Sequence, residues 1–567
     1  MTSQPKLSSP SSVPHAATLS AGGATHEVIN TPLPLKDYNL FDSDAALRDA
    51  VSREGAGHAA AQLHEHGAWL GRAETLALGD AANSFRPQLE THDRYGHRLD
   101  GVNYHPAYHA LMARAMAEGL HGAPWQQPGR GAHVARAAGF YMQSEVEAGH
   151  GCPISMTFAS HAPLQQAADT TAPWLRKIAG RDYDPRNLPL DEKRSATIGM
   201  GMTEKQGGSD VRANTTQARP LAGGGGPGAR YALLGHKFFL SAPMCDAFLV
   251  LAQAAGGPSC FLVPRWRQDG RKNALELIRL KDKMGNVSNA SAEVELRDAE
   301  GILLGVEGRG IANILDMVAL TRFDCMIGSS AVMRMAVVQA IDHCRQRKAF
   351  GQWLSDQPLM QNVLADLALE SEAALTFTMR LARALDERDN AHERHLLRLG
   401  AALGKFGICK RVAGVTAEAV ECIGGSGVME TCIMPRLYRE APVNAIWEGS
   451  GNIQCLDVLR ALRKSPETLA TFRIEVQRAR GGHGAFDLHI ARLEDDLADL
   501  EHIEPQARRL VEAMSTALQA SLLLQHAPTP LAEAYCETRL GGAARLHFGT
   551  LPRGCDVSAI IGRAAAR

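Results

Sequence analysis

An acidic residue near position 450 lies between an aromatic residue and a glycine-rich turn. The members of this run are, in order, Ile446, Trp447, Glu448, Gly449, Ser450, Gly451 and Asn452. A carboxylate such as Glu448 can abstract a proton, and burial beside the Trp447 ring would raise its pKa towards neutral pH. Glycine-rich backbone can present N–H groups to phosphate oxygens, which larger side chains would obstruct. The run could therefore combine proton transfer with phosphate contact.

A second segment, 202–210, has the residue types of a cofactor-binding loop. It pairs hydroxyl side chains with the backbone freedom of two glycines, and the candidate contacts in and just before it are Met200, Met202, Thr203, Gly208 and Ser209. A Gly-Gly-Ser-Asp sequence on its own is more often a plain β-turn. The two segments are far apart in the chain, so only the fold could join them.

The composition is that of a globular protein without a strong overall charge. The chain has 567 residues, 45% of them apolar and 21% charged, which is enough for several domains with substantial cores. A formal net charge of −1 gives no whole-chain attraction for nucleic acid or anionic membrane, so such a partner would need a local patch. No run approaches the roughly 18 apolar residues of a membrane span, and we expect no membrane association.

The cysteines indicate a reducing, cytoplasmic compartment. There are 11 of them, scattered and without a CxxC pair. Residues 1–25 have neither an apolar core nor an arginine, so we expect a disordered arm rather than a signal peptide or presequence. His64, Glu65 and His66 lack the spacing of a zinc-binding helix motif, and we expect no metal.

Local patterns divide the chain into five regions. Apolar residues recur at helical spacing in 106–112, give way to short apolar runs such as 247–251 and 260–263, and return to helical spacing after Gly310. The predicted regions are an N-terminal arm (1–42), a helical domain (43–195), a β-domain (196–305), a helical bundle (306–463) and an extra helical domain (464–567).

Three motifs together resemble the flavin-dependent acyl-CoA dehydrogenases. The loop 202–210 is similar to their flavin-contacting segment, and 236–241 to the strand that sets an aromatic ring and a hydroxyl against the isoalloxazine. The segment 345–352 resembles their bundle-helix signature. The resemblance covers about 43–463 and implies an α+β fold: an N-terminal α-domain, a central β-barrel-like domain and a C-terminal four-helix bundle, to which this chain adds a helical domain.

The resemblance also implies FAD as cofactor, an acyl-CoA thioester as substrate and a homotetramer built as a dimer of dimers. It adds the cofactor contacts Phe239, Leu240, Ser241, Arg347 and Phe350. In that family the arginine at position 347 reaches a flavin pyrophosphate across the dimer interface. Two positions depart from the family pattern: Phe239 stands where tryptophan is frequent, and Glu421 replaces a glutamine that contacts the adenosine end of the cofactor. Phe238 and Phe239 could each instead be core residues of a strand.

The chemistry of such an enzyme needs a base for the α-proton of the thioester and an acceptor for the β-hydride. Side chains supply only the base, so the flavin must accept the hydride. Some relatives carry the base on the first long bundle helix, as an acidic residue before an arginine. Here that position is Thr321, before Arg322, so Glu448 is the predicted base.

A longer run, 436–453, and the C-terminal extension resemble the AidB-type branch of this family, which belongs to the bacterial response to DNA alkylation. Membership would imply non-specific binding and protection of duplex DNA, with weak dehydrogenase activity on isovaleryl-CoA-like substrates. The alternative is a metabolic dehydrogenase for short or branched acyl-CoA, in which the extension serves only assembly.

The predicted DNA-binding residues are arginines, whose planar donors can engage two phosphate oxygens. Residues 538–567 contain five arginines and one acid, Asp556. The candidates are Arg539 and Arg545, with Arg460 and Arg463 extending the patch. Acids within 494–504 offset this charge, so binding should be local, non-specific and weakened by salt. An ordinary solvated basic face would have the same composition.

Overall fold

The computed structural model describes residues 25–221, 225–498, 500, 502–542 and 547–566. Most of the predicted N-terminal arm, and Arg545 among the predicted DNA contacts, lie outside the described residues. Within them, helices, a β-domain and further helices follow one another in the predicted order.

The N-terminal layer is mostly helical. Helix α4 shows why: Pro106 has a backbone angle suited to a first helical turn, and Tyr108, Leu111, Met112 and Ala115 recur at the spacing of one buried face. The elements of this layer are α1 (Ala45–Arg53), α2 (Ala60–Leu70), α3 (Ala73–Ser84), β1 (Gln88–His92), β2 (Arg98–Asn103), α4 (Pro106–Ala117), α5 (Ala123–Gln126), α6 (Ala132–Val146), α7 (Gly151–Gln165) and α8 (Ala168–Ile178).

Strands β1 and β2 form an antiparallel hairpin inside a region for which the sequence predicted only helices. The turn is closed by Asp93, whose Oδ1 accepts hydrogen bonds from the backbone N–H groups of Tyr95 (2.8 Å) and His97 (2.9 Å). Gly96 supplies the left-handed residue of the turn, with φ of 86°. Turn chemistry here overrides the weak helical pattern of the flanking residues.

The β-domain is a seven-stranded sheet in the order β3-β5-β4-β6-β7-β9-β8, which curls on itself through the extra pairings β3–β6 and β5–β9. Its strands are β3 (Ile198–Thr203), β4 (Gln217–Pro220), β5 (Arg230–Ser241), β6 (Ala247–Ala254), β7 (Gly257–Pro264), β8 (Leu275–Leu280) and β9 (Ser291–Leu304). The antiparallel register of β3 and β5 sets Met200 opposite Ser241 and Thr203 opposite Phe239. The sheet therefore joins the two predicted flavin-contacting segments.

The bundle is built on three long helices, of which α10 packs against α11, α12, α6 and α7. Its elements are α9 (Gly310–Asn313), α10 (Leu315–Gln346), β10 (Lys348–Ala349), β11 (Gln352–Trp353), α11 (Pro358–Asp386), α12 (Ala391–Ile423), α13 (Met434–Glu440) and α14 (Gly451–Lys464). Among the described residues, α10 is the one helix long and apolar enough to cross a membrane, and 94% of its apolar window is buried inside the protein.

The C-terminal extension packs onto the bundle. Helix α17 lies against α11 and α12, and α19 lies against α11 and α1. A single π-helical turn, Cys536–Leu540, carries Arg539. The helices are α15 (Pro466–Gln477), α16 (Gly484–Leu497), α17 (Ala507–His526), α18 (Thr529–Tyr535) and α19 (Val557–Ala564).

Candidate active site

The fold brings the two predicted chemical segments to one cavity of about 80 Å³ between the N-terminal layer, the β-domain and the bundle. Met200 and Ser241 line it from strands β3 and β5, and Thr321 lines it from α10. Trp447 and Glu448 line it from the loop before α14. The predicted base therefore lines the same cavity as the predicted flavin strands.

The loop that carries Glu448 is held by three side chains. Lys405 donates Nζ to the carbonyl oxygens of Asn444 and Gly449, both at 2.9 Å. Gln454 Nε2 lies 2.8 Å from the carbonyl of Gly449, and Arg322 Nε lies 3.1 Å from the carbonyl of Glu448. Glu448 itself has φ of 59°, a left-handed conformation that costs energy for a residue with a side chain. These donors hold the strained residue, and with it the direction of the carboxyl group.

The environment of Glu448 suits a base. Removal from water raises the pKa of its carboxyl, while the nearby hydroxyl of Thr321 and the charges of Lys405 and Arg322 partly oppose that rise. A carboxylate with a raised pKa accepts a proton more readily than one in water. The position from which other relatives would supply the base, Thr321, thus contributes a hydroxyl that stabilises the charge on Glu448.

Trp447 is fixed by its indole N–H, which donates to Oδ1 of Asn444 at 2.7 Å. Asn444 also lines the cavity, and its carbonyl is one of the two that Lys405 holds. The indole therefore forms a fixed wall beside the carboxyl group. Ile446 is 65% exposed and points away from this enclosed space.

The neighbouring ends of β3 and β5 offer a face for a flat ring. Phe239 is 39% exposed and stands edge-on to Phe238, with ring centroids 5.1 Å apart. The ammonium of Lys281 lies 3.2 Å from the centre of the Phe238 ring. Leu240 points into the core and is 0% exposed, so it can contact a cofactor only through its backbone.

The loop after β3 is anchored by a buried ion pair. Glu204 and Lys237, both with side chains 0% exposed, lie 2.5 Å apart, and Glu204 also accepts from the hydroxyl of Thr216 at 2.6 Å. Outside this anchor the loop residues Gly208 and Ser209 are exposed. A Cβ at Gly208 would lie 3.2 Å from Cγ2 of Thr203, so glycine keeps this surface open. Met202 and Thr203 are half-buried beside it.

The N-terminus of α14 has the features of a phosphate site. Ser450 precedes the helix and makes no side-chain cap, which leaves first-turn N–H groups, including those of Gly451 and Asn452, for a ligand. A Cβ at Gly451 would lie 3.4 Å from Cδ of Lys410, so a cation stands beside this end of the helix. An aromatic face, hydroxyls and a phosphate-binding helix end together fit the ring and pyrophosphate of FAD.

Arg347 and Phe350 do not lie at this cavity. They occupy the turn after α10, where Phe350 is 99% exposed and Arg347 Nη1 donates to the carbonyl of Asn30 at 2.5 Å. Neither of them is among the described residues that line the catalytic cavity.

Arg539, predicted as a DNA contact, is engaged by acidic side chains of the bundle. Its guanidinium donates Nη2 to Asp366 at 2.6 Å and Nε to Glu370 at 2.8 Å, and its side chain is only 13% exposed. Two carboxylates of α11 therefore neutralise it inside the protein. Arg460 is 61% exposed and 3.6 Å from Asp457, and Arg463 donates to the carbonyl of Leu500 at 2.9 Å.

Several functional residues escaped the sequence argument. Lys405 and Gln454 were not predicted, although a lysine within the apolar face of α12 is a signal that a buried partner exists. Glu440 also lines the cavity, and burial raises its pKa to about 7. Its backbone partner, the N–H of Asn286, comes from the β-domain and has no signature in sequence.

Comparisons with known families agree with this architecture. Residues 30–185 match the family model of the adaptive response protein AidB N-terminal domain. Residues 199–299 match the acyl-CoA dehydrogenase middle domain, and residues 308–463 match its C-terminal domain. The last two matches contain both flavin strands and Glu448.

The chain is 47% identical to AidB of Escherichia coli, described as a candidate acyl-CoA dehydrogenase, over 92% of this chain and 96% of that protein. The structure of Caenorhabditis elegans ACDH-11 in complex with C11-CoA is 25% identical, with a TM-score of 0.82, and the match covers 92% of this chain and 93% of that one. An acyl-CoA dehydrogenase of Bacillus anthracis complexed with FAD is 20% identical with a TM-score of 0.60, over 76% and 80% of the two chains. The predicted fold class is confirmed.

Proposed function

Because this chain belongs to the FAD-dependent acyl-CoA dehydrogenase family, in its AidB branch, we propose that it oxidises short acyl-CoA thioesters slowly and binds duplex DNA non-specifically during alkylation stress. The observation that carries the catalytic half is the shared cavity of Glu448, Thr321, Met200 and Ser241.

In the proposed reaction Glu448 removes the α-proton of the thioester. The ends of β3 and β5 and the N-terminus of α14 would hold FAD, which would supply the acceptor for the β-hydride. Lys405, Gln454 and Arg322 hold the loop so that the carboxyl stays at one position, and Trp447 excludes water from it. Thr321 stabilises the carboxylate between turnovers.

The size of the cavity favours a small acyl group. A water molecule needs roughly 10–15 Å³ of such space, and the cavity offers about 80 Å³. Its wall combines apolar residues, among them Phe140 and Met156, with the polar groups near Glu440. We therefore assign a short, branched thioester such as isovaleryl-CoA to it.

DNA binding is assigned to a surface around α14 that consists of Lys410, Arg460, Arg463, Lys464 and Arg508, all exposed. We call this the α14 cationic surface. The positive charges of Lys410 and Arg508 both lower the pKa of the Cys455 thiol in this helix. Both cations therefore lie near the same face of α14. Asp457 is the acid nearest to Arg460, and Arg322 and Arg398 already engage it at 2.7 Å. At Arg460, therefore, phosphates would meet positive charge that Asp457 only partly offsets.

The burial of Arg539 favours a second candidate function. Through the ion pairs of Arg539 with Asp366 and Glu370, the C-terminal extension would serve only to stabilise its own packing on α11. In that case the protein is a metabolic dehydrogenase for short or branched acyl-CoA without a DNA role.

The proposed assembly is a cytoplasmic homotetramer. Phe350 is 99% exposed and Leu359, nine residues further on, is 86% exposed, as expected for residues that a second copy would cover. Arg347 stands beside Phe350 and would reach the pyrophosphate of a cofactor held by that copy. Light scattering of Phe350→Asp against wild type tests this surface: unchanged mass would remove it from the interface.

The deciding experiment is an anaerobic titration of the yellow protein with isovaleryl-CoA, run beside a duplex-DNA shift assay at several salt concentrations. A salt-sensitive shift with slow bleaching of the flavin supports the proposed pair of functions. Fast bleaching without a shift at physiological salt supports the metabolic dehydrogenase. Absence of both contradicts both assignments.

A further inference from the structure

A second and larger cavity, of about 370 Å³, lies outside the catalytic one. It is enclosed by the β1–β2 hairpin, α4, the loop 183–187 and the turn after β5. Its volume is within the range of small-molecule sites in proteins, which is about 300–1,000 Å³. The two cavities share no lining residue, so the mechanism above does not use this one.

The floor of this second cavity is part of the protein interior. Met112 and Cys245 are each 2% exposed, and Tyr108 is 4% exposed. Val102 of the hairpin and Ala242 of the turn after β5 are buried as well. A pocket whose floor consists of ordered core residues is preformed, so a ligand would lose little energy to reorganisation.

One wall of the second cavity is a continuous row of rings. Tyr104 and Tyr108 stack with centroids 4.3 Å apart at 14°. His109 meets both of them edge-on, and Tyr183 lies 5.9 Å beyond it at 29°. The rest of the lining includes Met112, Met244 and Cys245, whose sulfur atoms pack well against aromatic rings. Rings and sulfur atoms favour a flat aromatic guest over an aliphatic one.

The polar groups of this cavity carry no net charge. Burial lowers the pKa of His109, so the imidazole is neutral at pH 7, and its Nδ1 lies 3.0 Å from the hydroxyl of Tyr183. The carboxylate of Asp184 is compensated by Arg186 at 2.7 Å and Lys193 at 4.0 Å. A charged guest would find no counter-ion here, whereas a neutral one would not need it.

One hydroxyl in the cavity is available to a guest. Tyr108 lines the space, and its hydroxyl has no hydrogen-bond partner in the part of the chain that the structure describes. Because this hydroxyl is reached from the cavity, a ligand that hydrogen-bonds to it gains affinity.

We propose that this cavity binds a small, uncharged aromatic molecule of one or two rings with a hydrogen-bonding substituent. This second cavity is adjacent to the catalytic cavity. Pro153 and Ala242 line the second cavity, and their neighbours in sequence, Cys152 and Ser241, line the catalytic one. It is independent of the dehydrogenase and DNA functions proposed above.

The test uses the full-length holoprotein and 4-fluorophenol as probe, observed by fluorine NMR, with phenol and cyclohexanol as competitors. Leu99, 37% exposed at the cavity mouth, is the position for a blocking variant. Leu99→Trp should weaken probe binding at least tenfold, while the matched Leu99→Ala retains it. Tyr108→Phe keeps the ring and removes the hydroxyl, and should weaken binding about 3- to 10-fold.

Phenol should displace the probe, and cyclohexanol, of similar size but with a saturated instead of an aromatic ring, should not. The proposal is overturned if the probe does not bind at millimolar concentration, if Leu99→Trp binds it as wild type does, or if cyclohexanol competes equally. Flavin absorbance and circular dichroism of each variant report whether the fold is intact, since neither Leu99 nor Tyr108 is among the residues that line the catalytic cavity.

Discussion

Thr321 and Glu448 line the same cavity, and the Thr321 hydroxyl, which donates to the carbonyl of Val318 at 3.1 Å, lowers the pKa of the Glu448 carboxyl from the helix on which other relatives place their base. The site thus contains both positions from which family members supply the base, with a carboxyl group at one (Glu448) and a hydroxyl at the other (Thr321). The hydroxyl stabilises the carboxylate and therefore lowers a pKa that removal from water raises. The strength of the base is set by the balance of these two effects.

Replacing Thr321 by valine should move the pH profile of flavin reduction. The variant keeps the shape of the side chain but removes the donor, so the pKa of Glu448 rises further and the rate reaches its plateau at a higher pH. Stopped-flow reduction by isovaleryl-CoA between pH 5 and 10 measures the shift. Thr321→Ser is the control and should retain the wild-type profile. A profile that stays in place in the valine variant would show that the hydroxyl does not act on the base.

Glu448→Gln should slow flavin reduction by about 10²- to 10⁴-fold, the usual contribution of a positioned general base. The amide keeps the size of the side chain and cannot accept the α-proton. The flavin content and visible spectrum should be unchanged, because the loop is held by Lys405 and Gln454 through backbone oxygens. Reduction at the wild-type rate would remove Glu448 from its role.

Glu440→Gln should change how stability depends on pH. In the folded protein the pKa of Glu440 is raised from 4.5 to about 7, so its ionisation there is unfavourable. Wild type therefore loses stability as pH rises from about 4.5 to 7, by up to about 3 kcal/mol, and the variant lacks this loss. Urea unfolding at pH 5 and pH 8 measures it. An equal pH dependence in both proteins would contradict the assignment.

Arg539→Ala should destabilise the protein without affecting DNA. It leaves Asp366 and Glu370 buried with less compensation, which costs about 3–5 kcal/mol for a broken buried pair. Thermal unfolding measures the loss, and Arg460→Ala, at an exposed position, is the control with a small effect. Reduced DNA retention at unchanged stability would restore Arg539 as a DNA contact.

The pair Arg460→Ala and Lys464→Ala should weaken DNA binding while flavin reduction stays normal. Removing two phosphate contacts should lower the slope of log affinity against log salt by roughly 2. A shift assay from 50 to 300 mM salt measures that slope. Arg48→Ala with Arg309→Ala removes two exposed charges elsewhere and is the matched control. Equal effects of both pairs would mean that only total charge matters.

The two catalytic segments could be predicted from the sequence because each is a short run that contains several residues with functional side chains or glycines. Glu448 and Ser241 could be named from their motifs, and the fold joins them as the motif order implied. Lys405 could not be named, since its role depends on two backbone carbonyls that only the folded loop presents. Arg539 shows a different limit: an arginine-rich stretch reads as solvent-exposed in sequence, and its carboxylate partners on α11 are visible only in the fold.

The ion pairs between the extension and α11 also constrain how such proteins can evolve. Asp366, Glu370 and Glu372 are satisfied by Arg539 and Arg563, two arginines that the extension supplies. A descendant that lost the extension would leave these three acidic residues on α11 without their arginine partners. It would therefore have to substitute the acidic residues at the same time. Acidic residues at these positions of α11 should therefore be inherited together with the extension, and uncharged residues should accompany its absence.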